Sequence, residues 1–208
     1  MSWYSAVKWC NARSEKEGLM PVYVVRGKVY WKGREDKIAM KAEANGYRLP
    51  SDGEWEWAAR GGVKTQGYDY SGSKDLGEVG WYQENAGGKR HEVGTKKANE
   101  LGIYDLSGNM WEWCFDARVE LIGEDEEDFG TYRVIRGGSW YSLASYARVS
   151  YRSISAHTTL EKNCEIFRVS LLLAWTWFFL SKTPSAETLK HLFRSHFSAL
   201  LSDPMALS

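Results

Sequence analysis

The sequence has no surplus of either charge: its 208 residues include 27 basic and 27 acidic side chains. Nucleic acids and anionic membranes attract proteins through local or net positive charge. No basic stripe stands out along the chain. We therefore expect no nucleic-acid partner and see no electrostatic reason for binding to an anionic membrane.

Cysteine is scarce, and Cys10, Cys114 and Cys164 are far apart in the sequence. No two of them have CxxC or zinc-ligand spacing, and an odd number leaves at least one thiol outside any intrachain disulfide. The sequence also contains no Asn-x-Ser/Thr glycosylation acceptor. These absences argue against a disulfide-dense secreted fold.

Long hydrophobic runs are missing as well. The longest, Val169 to Leu180, has about a dozen residues, whereas a bilayer-spanning helix needs about 20. Met1 is followed directly by Ser2, Trp3 and Tyr4, without the pattern of a signal peptide. We expect no membrane span, and the sequence leaves the compartment undetermined, including export or surface display of a longer parent.

Aromatic residues are abundant, with 11 Trp and 12 Tyr. Wide side chains of this kind fill the core of a domain that has long loops. They also form recognition surfaces, because Trp and Tyr give a large contact area at a low entropic cost. Both interpretations remain open for different parts of the chain.

The order of elements predicts an α+β fold with short strands, two helices and long ordered loops. The first helix runs from Ser2, as N-cap, to about Gly18, and a hairpin over Val22–Trp31 follows. A capping box at Ser51–Glu54 starts the second helix, and residues 62–102 form a long loop region. Strands are predicted at 110–115, 131–136, 147–152 and 164–169, and the acidic run 124–128 is interpreted as a solvated loop.

The last part of the chain differs in character, which predicts a boundary between a domain at 1–169 and a hydrophobic tail at 170–208. After Pro184, apolar residues recur at helical spacing, as expected for an amphipathic helix. Its apolar face consists of Leu189, Leu192, Phe193, Phe197, Leu200 and Leu201.

Three ordered motifs carry a family resemblance. They are YRLPSDGEWEWAARGG at residues 47–62, LGIYDLSGNMWEW at 101–113 and RGGSW at 136–140, and the helix that starts at Ser2-Trp3 is a fourth match. In order and spacing they resemble the formylglycine-generating enzymes, also called sulfatase-modifying factors. The resemblance extends over about residues 2–169 and implies a C-type-lectin-like fold.

The resemblance also implies a structural calcium ion. Asp105, the backbone carbonyls of Gly108 and Met110, and Glu112 match positions that bind calcium in family members. Hard oxygen ligands around a tight turn suit this cation. The alternative is that Glu112 only caps or pairs with a neighbouring group.

Copper and catalysis are not expected. Family enzymes oxidise a substrate cysteine with O₂ at a copper ion that two cysteines hold just after the GGS motif. The matching positions here are Ser142 and Ala147, and neither a hydroxyl nor a methyl group replaces the soft thiolate that Cu(I) requires. Cys164 lies off the motif and cannot restore the pair.

Two further departures from the family concern the ends of the domain. The usual N-terminal strands have no counterpart before the first helix, and the usual Gly-Phe-Arg is Ile166-Phe167-Arg168. Together with the tail, these departures lead us to expect an N-terminally truncated or frame-disrupted product. The alternative is that the tail helix covers core left exposed by the missing strands.

The segment from Tyr141 to His157 lies where the family has its active-site face. Its Tyr, Ser, Ala, Leu, Ile and His suit adaptable recognition better than catalysis. The segment has no Lys, Glu, Gln, Met or Trp. The same residue types are excluded in some lectin-fold variable proteins, which are diversified by adenine-targeted, diversity-generating retroelements. An ordinary loop without a binding role fits the composition equally well. The predicted recognition face consists of Tyr141, Ser142, Ser145, Tyr146, Ser150, Tyr151 and His157.

The sequence thus favours a non-catalytic ligand-binding or display protein whose partner is an unidentified protein or glycan. Two alternatives stay open. One is a copper-dependent sulfatase-modifying oxidase or related oxygenase with a rearranged site, and the other is a non-functional fragment. His157 has no visible nucleophile partner, so its sequence context gives no support for a general base.

Overall fold

The computed structural model describes residues 1–35, 37–117 and 132–156, and the backbone of 170–171. Contacts divide these residues into two units. The described part of unit 1 contains residues 1–35, 37–53, 111–117, 132–136, 152–156 and 170–171, and that of unit 2 contains 54–110 and 137–151. No helix in the described residues is long and apolar enough to cross a membrane.

Unit 1 begins with helix α1, Trp3–Lys16, which confirms the predicted first helix. The Ser2 hydroxyl accepts a hydrogen bond from the Ser5 amide at 3.2 Å, as an N-cap does. The apolar stripe at helical spacing is buried, and the indole of Trp3 donates to the Cys114 carbonyl at 3.0 Å. This contact joins the start of the chain to a strand more than a hundred residues later.

The predicted hairpin is present as β1, Tyr23–Val25, and β2, Lys28–Val29. A third strand, β3, Ala39–Met40, pairs antiparallel with β1, so that the order in this sheet is β2-β1-β3. The buried amide of Asn11 bonds to the Tyr23 and Tyr30 carbonyls at 2.8 and 3.0 Å, which fixes the hairpin against α1.

Two more sheets belong to unit 1. Strand β4, Tyr47–Arg48, pairs with β8, Ser170–Leu171. Strands β5, Glu112–Ala117, β6, Tyr132–Arg136, and β7, Ser153–Ala156, form an antiparallel sheet in that order. The strand predicted at 131–136 is confirmed, and residues 137–152 connect β6 to its partner β7.

Helix α2, Asp52–Ala59, runs from the end of unit 1 into unit 2 and confirms the second predicted helix. The following loop region contains a 3₁₀ turn, Gly62–Lys64, and one helical turn, α3, Leu76–Val79. Short helices, small sheets and long loops make the chain α+β, as predicted.

The strand predicted at Ala147–Arg152 is wrong. Ala144–Ala147 forms a 3₁₀ turn, and the strand starts only at Ser153. Backbone groups in this stretch bond to loops instead of a sheet: the Ala147 carbonyl accepts from the Ser107 hydroxyl and the Val149 amide donates to the Asp69 carbonyl. The strand predicted at 164–169, the acidic run 124–128 and the tail helix lie outside the described residues.

Candidate functional site

Residues 137–151, here called the recognition segment, expose large side chains in unit 2. Tyr141 is 62% exposed, Leu143 52% and Tyr146 38%. Tyr146 and Tyr151 pack with their ring centroids 4.9 Å apart. The predicted residues Ser145 and Ser150 are also exposed, as is Arg148. The segment therefore presents aromatic, aliphatic and hydroxyl groups to solvent.

The backbone of the recognition segment is anchored along its whole length. The Gly137 carbonyl accepts from the Gly108 amide at 2.7 Å, and the Ser142 carbonyl accepts from the Gln83 amide at 3.0 Å. The Ala147 carbonyl accepts from the Ser107 hydroxyl at 2.8 Å. Main-chain atoms make these bonds, so the exposed side chains are not needed to hold the loop in place.

Ser142 is not part of the exposed surface. Its side chain is buried, and its hydroxyl accepts from the Ser139 amide at 2.9 Å and lies 3.0 Å from the Ser139 hydroxyl. The Ser142 amide in turn donates to the Ser139 carbonyl. The small polar side chain closes a turn, which removes it from the predicted recognition face. His157 lies outside the described residues.

The copper-ligand positions do not fit copper. Ser142 uses its hydroxyl within the turn just described, and Ala147 is fully buried. Its methyl group belongs to an apolar cluster with Leu76 and Val79. Neither position supplies a sulfur atom, and within the described residues no three His, Cys, Asp or Glu side chains form a group that could hold a metal ion.

The two described cysteines are not reactive thiols. Cys10 and Cys114 are free and buried in unit 1. Burial raises the pKa of both thiols well above the ordinary value of 9.0, so the thiolate form is disfavoured. Buried, protonated thiols of this kind pack as small apolar groups and are poor metal ligands or nucleophiles.

The residues of the predicted calcium site include suitable donors. In unit 2, one Asp105 carboxylate oxygen accepts from the Gly94 amide at 2.7 Å, and the Gly108 carbonyl accepts from the Met110 amide at 2.9 Å. A carbonyl oxygen has two lone pairs, so this bond leaves one for a cation. In unit 1, Glu112 is buried and lies opposite Arg136 in the β5–β6 register. Calcium binding stays a prediction.

Sequence reasoning missed the role of Asp52, which it treated only as part of a helix start. One carboxylate oxygen lies 2.6 Å from Nε of the buried Arg136, and the other lies 2.5 Å from Nε of Arg152. These arginines directly precede and follow the recognition segment in the chain. An arginine at each end of residues 137–151 is visible in the sequence and could have indicated that an acidic residue pairs with both.

Comparison with known proteins agrees with this geometry. Residues 1–169 match the Sulfatase-modifying factor enzyme 1-like domain, so the chain belongs to this family. The predicted family and the C-type-lectin-like fold are thereby confirmed.

Two relatives with different names illustrate the range of proteins that this chain is similar to. The chain is 42% identical to chaperone protein LppX of Paenibacillus barcinonensis over 175 residues, which are 73% of this chain and 61% of LppX. It is 35% identical to the inactive C-alpha-formylglycine-generating enzyme 2 of Bos taurus over 109 residues, 48% of this chain and 34% of that protein. The chain thus spans less than two thirds of either relative.

A solved structure resembles this one over most of its length. Treponema denticola variable protein 1 superposes with a TM-score of 0.70 at 33% sequence identity, covering 82% of this chain and 69% of that one. The chain therefore shares the fold of a protein that is named a variable protein.

Proposed function

We propose that this chain is a non-catalytic member of its family that binds a protein or glycan ligand through the recognition segment. One observation carries the proposal: exposed tyrosine, leucine and serine side chains stand on a backbone that its surroundings anchor at several points. Such a surface binds well because little conformational freedom is lost on contact.

The missing copper ligands support the non-catalytic half of the proposal. Copper at this site requires two thiolates, whereas Ser142 and Ala147 are committed to a turn and to an apolar cluster. Similarity to a variable protein and to an enzyme described as inactive supports the same choice. The residue types absent between Tyr141 and His157 also suit retroelement-driven diversification, which is part of the proposal.

A copper titration tests the absence of catalysis. We expect the purified chain to leave Cu(I) with a competing chelator and to consume no O₂ with a cysteine-containing peptide. A variant with Cys10, Cys114 and Cys164 replaced by serine identifies any copper that the natural thiols hold. Tight one-to-one copper binding together with O₂ uptake would establish the oxidase instead.

A binding screen tests the recognition surface. The chain is probed against a glycan array and a displayed peptide library, and each hit is measured again with the Tyr141→Ser/Tyr146→Ser variant. We expect affinity to fall by at least about tenfold, because buried tyrosines dominate interfaces. Tyr132→Ser is the matched control, since Tyr132 has a similar exposure to Tyr146 but lies outside the segment. Equal loss in both variants contradicts the proposal.

A further inference from the structure

A second exposed apolar surface lies in unit 1, on the sheet formed by β2, β1 and β3. Of the nine large apolar side chains that are exposed in the described residues, three belong to the recognition segment. Four others lie between residues 20 and 40 and are 36–44% exposed: Met20, Val29, Trp31 and Met40. Contiguous apolar groups at a surface usually mark an interaction site.

The strand register places most of these groups on one side of the sheet. Val29, Val24 and Ala39 form one cross-strand row, and side chains in such a row share a side. Alternation puts Trp31 on that side too, because the Tyr30 amide continues the ladder to the Tyr23 carbonyl. The opposite side carries the buried Tyr23 and Tyr30.

Met20 extends this surface. Lys41 lies two residues beyond Ala39 and on the same side, and its ammonium group approaches the Met20 sulfur at 3.4 Å. The sheet face, as we call it, consists of Met20, Val24, Val29, Trp31 and Ala39.

The charges around the sheet face are strongly biased. Residues 20–41 contain six basic and two acidic side chains, although the net charge of the whole chain is zero. The expectation that nothing attracts the chain to an anionic membrane rested on the whole-chain balance, and it does not hold for this segment. Within the described part of this range, Glu35 is the one acidic residue, and it is only half-exposed. Five basic residues are exposed: Arg26, Lys28, Lys32, Arg34 and Lys37.

We propose that the sheet face binds the surface of an anionic lipid bilayer. Trp31 has the side chain that prefers the boundary between headgroups and acyl chains, and the lysine and arginine stems at the rim can reach lipid phosphates. A stable protein–protein interface takes about 20–30 residues on each side, more than this small sheet offers. A lipid surface has no such requirement, because each apolar group and each cation contributes separately.

Vesicle sedimentation with the full chain tests this binding. We expect association with vesicles of phosphatidylcholine that also contain the anionic lipid phosphatidylglycerol, because a negative surface potential attracts basic patches. We expect little association with pure phosphatidylcholine and a loss at high salt, because ions screen the attraction.

Two variants separate the apolar and the charged contributions. Trp31→Ala/Val29→Ser removes apolar contacts. Lys37→Ser/Lys41→Ser, at the positions two residues before and after Ala39, should lower the partition coefficient roughly 25-fold, at about fivefold per cation. Matched controls in unit 2 are Val63→Ser, at an exposed valine, and Lys64→Ser/Lys89→Ser, at exposed lysines. We expect the controls to bind like the parent chain.

The proposal fails if the chain does not sediment with the anionic vesicles, if it binds both vesicle types equally, or if the control variants lose as much binding as the sheet-face variants. Near-ultraviolet circular dichroism of every variant shows that binding is compared between folded proteins. Loss of ligand binding at the recognition segment has no bearing on this result, since the sheet face shares no residue with that segment.

Discussion

A single carboxylate links the two residues that flank the recognition segment. Asp52 contacts Arg136, which is fully buried, and Arg152, which is 44% exposed in its side chain. The Asp52 amide is in turn held by the Asp116 carboxylate at 2.7 Å. A buried arginine is costly unless it is paired. Asp52 thereby joins the end of β6 to the residue before β7, across the sixteen-residue connection 137–152.

We predict that Asp52→Asn lowers the free energy of unfolding by about 2–4 kcal/mol, because it removes the charge that faces a buried guanidinium. Amide hydrogen exchange should accelerate across residues 137–151. Urea unfolding and exchange mass spectrometry measure the two effects. Asp75→Asn is the control, since Asp75 caps α3 from an exposed position where asparagine serves equally well. Unchanged exchange in the segment would show that Asp52 does not hold its base.

At the scale of elements, the tight turn at Ser107–Met110 depends on a glycine. Gly108 has a φ of +82°, and a Cβ there would overlap the Trp81 carbonyl oxygen. Gly102 has a similar φ of +78° but open space around it. Comparing substitutions at Gly102 and Gly108 therefore separates the free-energy cost of the left-handed backbone from that of the steric overlap.

We predict that Gly102→Ala destabilises the chain by about 1–2 kcal/mol, the cost of a left-handed backbone. Gly108→Ala should cost at least about 2 kcal/mol more, because the Trp81 loop must also move. Thermal and urea unfolding of both variants give the comparison. Equal losses would mean that the loop around Trp81 yields without cost.

Local signals in the sequence were sufficient for several elements. Ser2 before an apolar stripe predicted α1, and the stretch that ends at Gly137-Gly138 predicted β6. Alternating positions misled at Ala147–Arg152, because the partners of those backbone groups, Ser107 and Asp69, are distant in sequence.

The candidate site was predictable in the same uneven way. Tyr141 and Tyr146 are exposed as expected of a recognition face. Ser142 is buried, although serine usually lies at the surface, because Ser139 supplies a hydrogen-bond partner three residues away. The sequence shows an arginine at each end of the recognition segment, but not the distant carboxylate of Asp52 that contacts both of them.

At the scale of the whole molecule, we predict that calcium stabilises the chain. Millimolar calcium should raise the melting temperature of the EDTA-treated protein, since an ion that binds only the folded state shifts the unfolding equilibrium. Glu112→Gln should abolish the increase, whereas Glu78→Gln, at an exposed position, should retain it. Scanning calorimetry with magnesium as a second cation checks selectivity. An identical melting temperature with EDTA and with calcium would refute the site.

The buried thiols provide a second test of the whole molecule. In a Cys164→Ser background, Cys10 and Cys114 should react with a thiol reagent only when the chain unfolds, because both are buried and protonated. Because burial raises the pKa of both thiols in the folded state, their contribution to the free energy of unfolding is fully present below the ordinary thiol pKa of 9.0. It is lost as the pH rises above that value, where the unfolded thiols ionise. Rapid labelling of the native protein would contradict the burial of these side chains.

The bonds that hold the recognition segment come from its main chain, and this has a practical consequence. Exposed positions such as Tyr141, Leu143 and Tyr146 can be exchanged for other residue types while the Gly137, Ser142 and Ala147 carbonyls keep their donors. The chain is therefore suited as a scaffold for a combinatorial library, in which the exposed positions are randomised and Ser139, Ser142 and Ala147 are left unchanged.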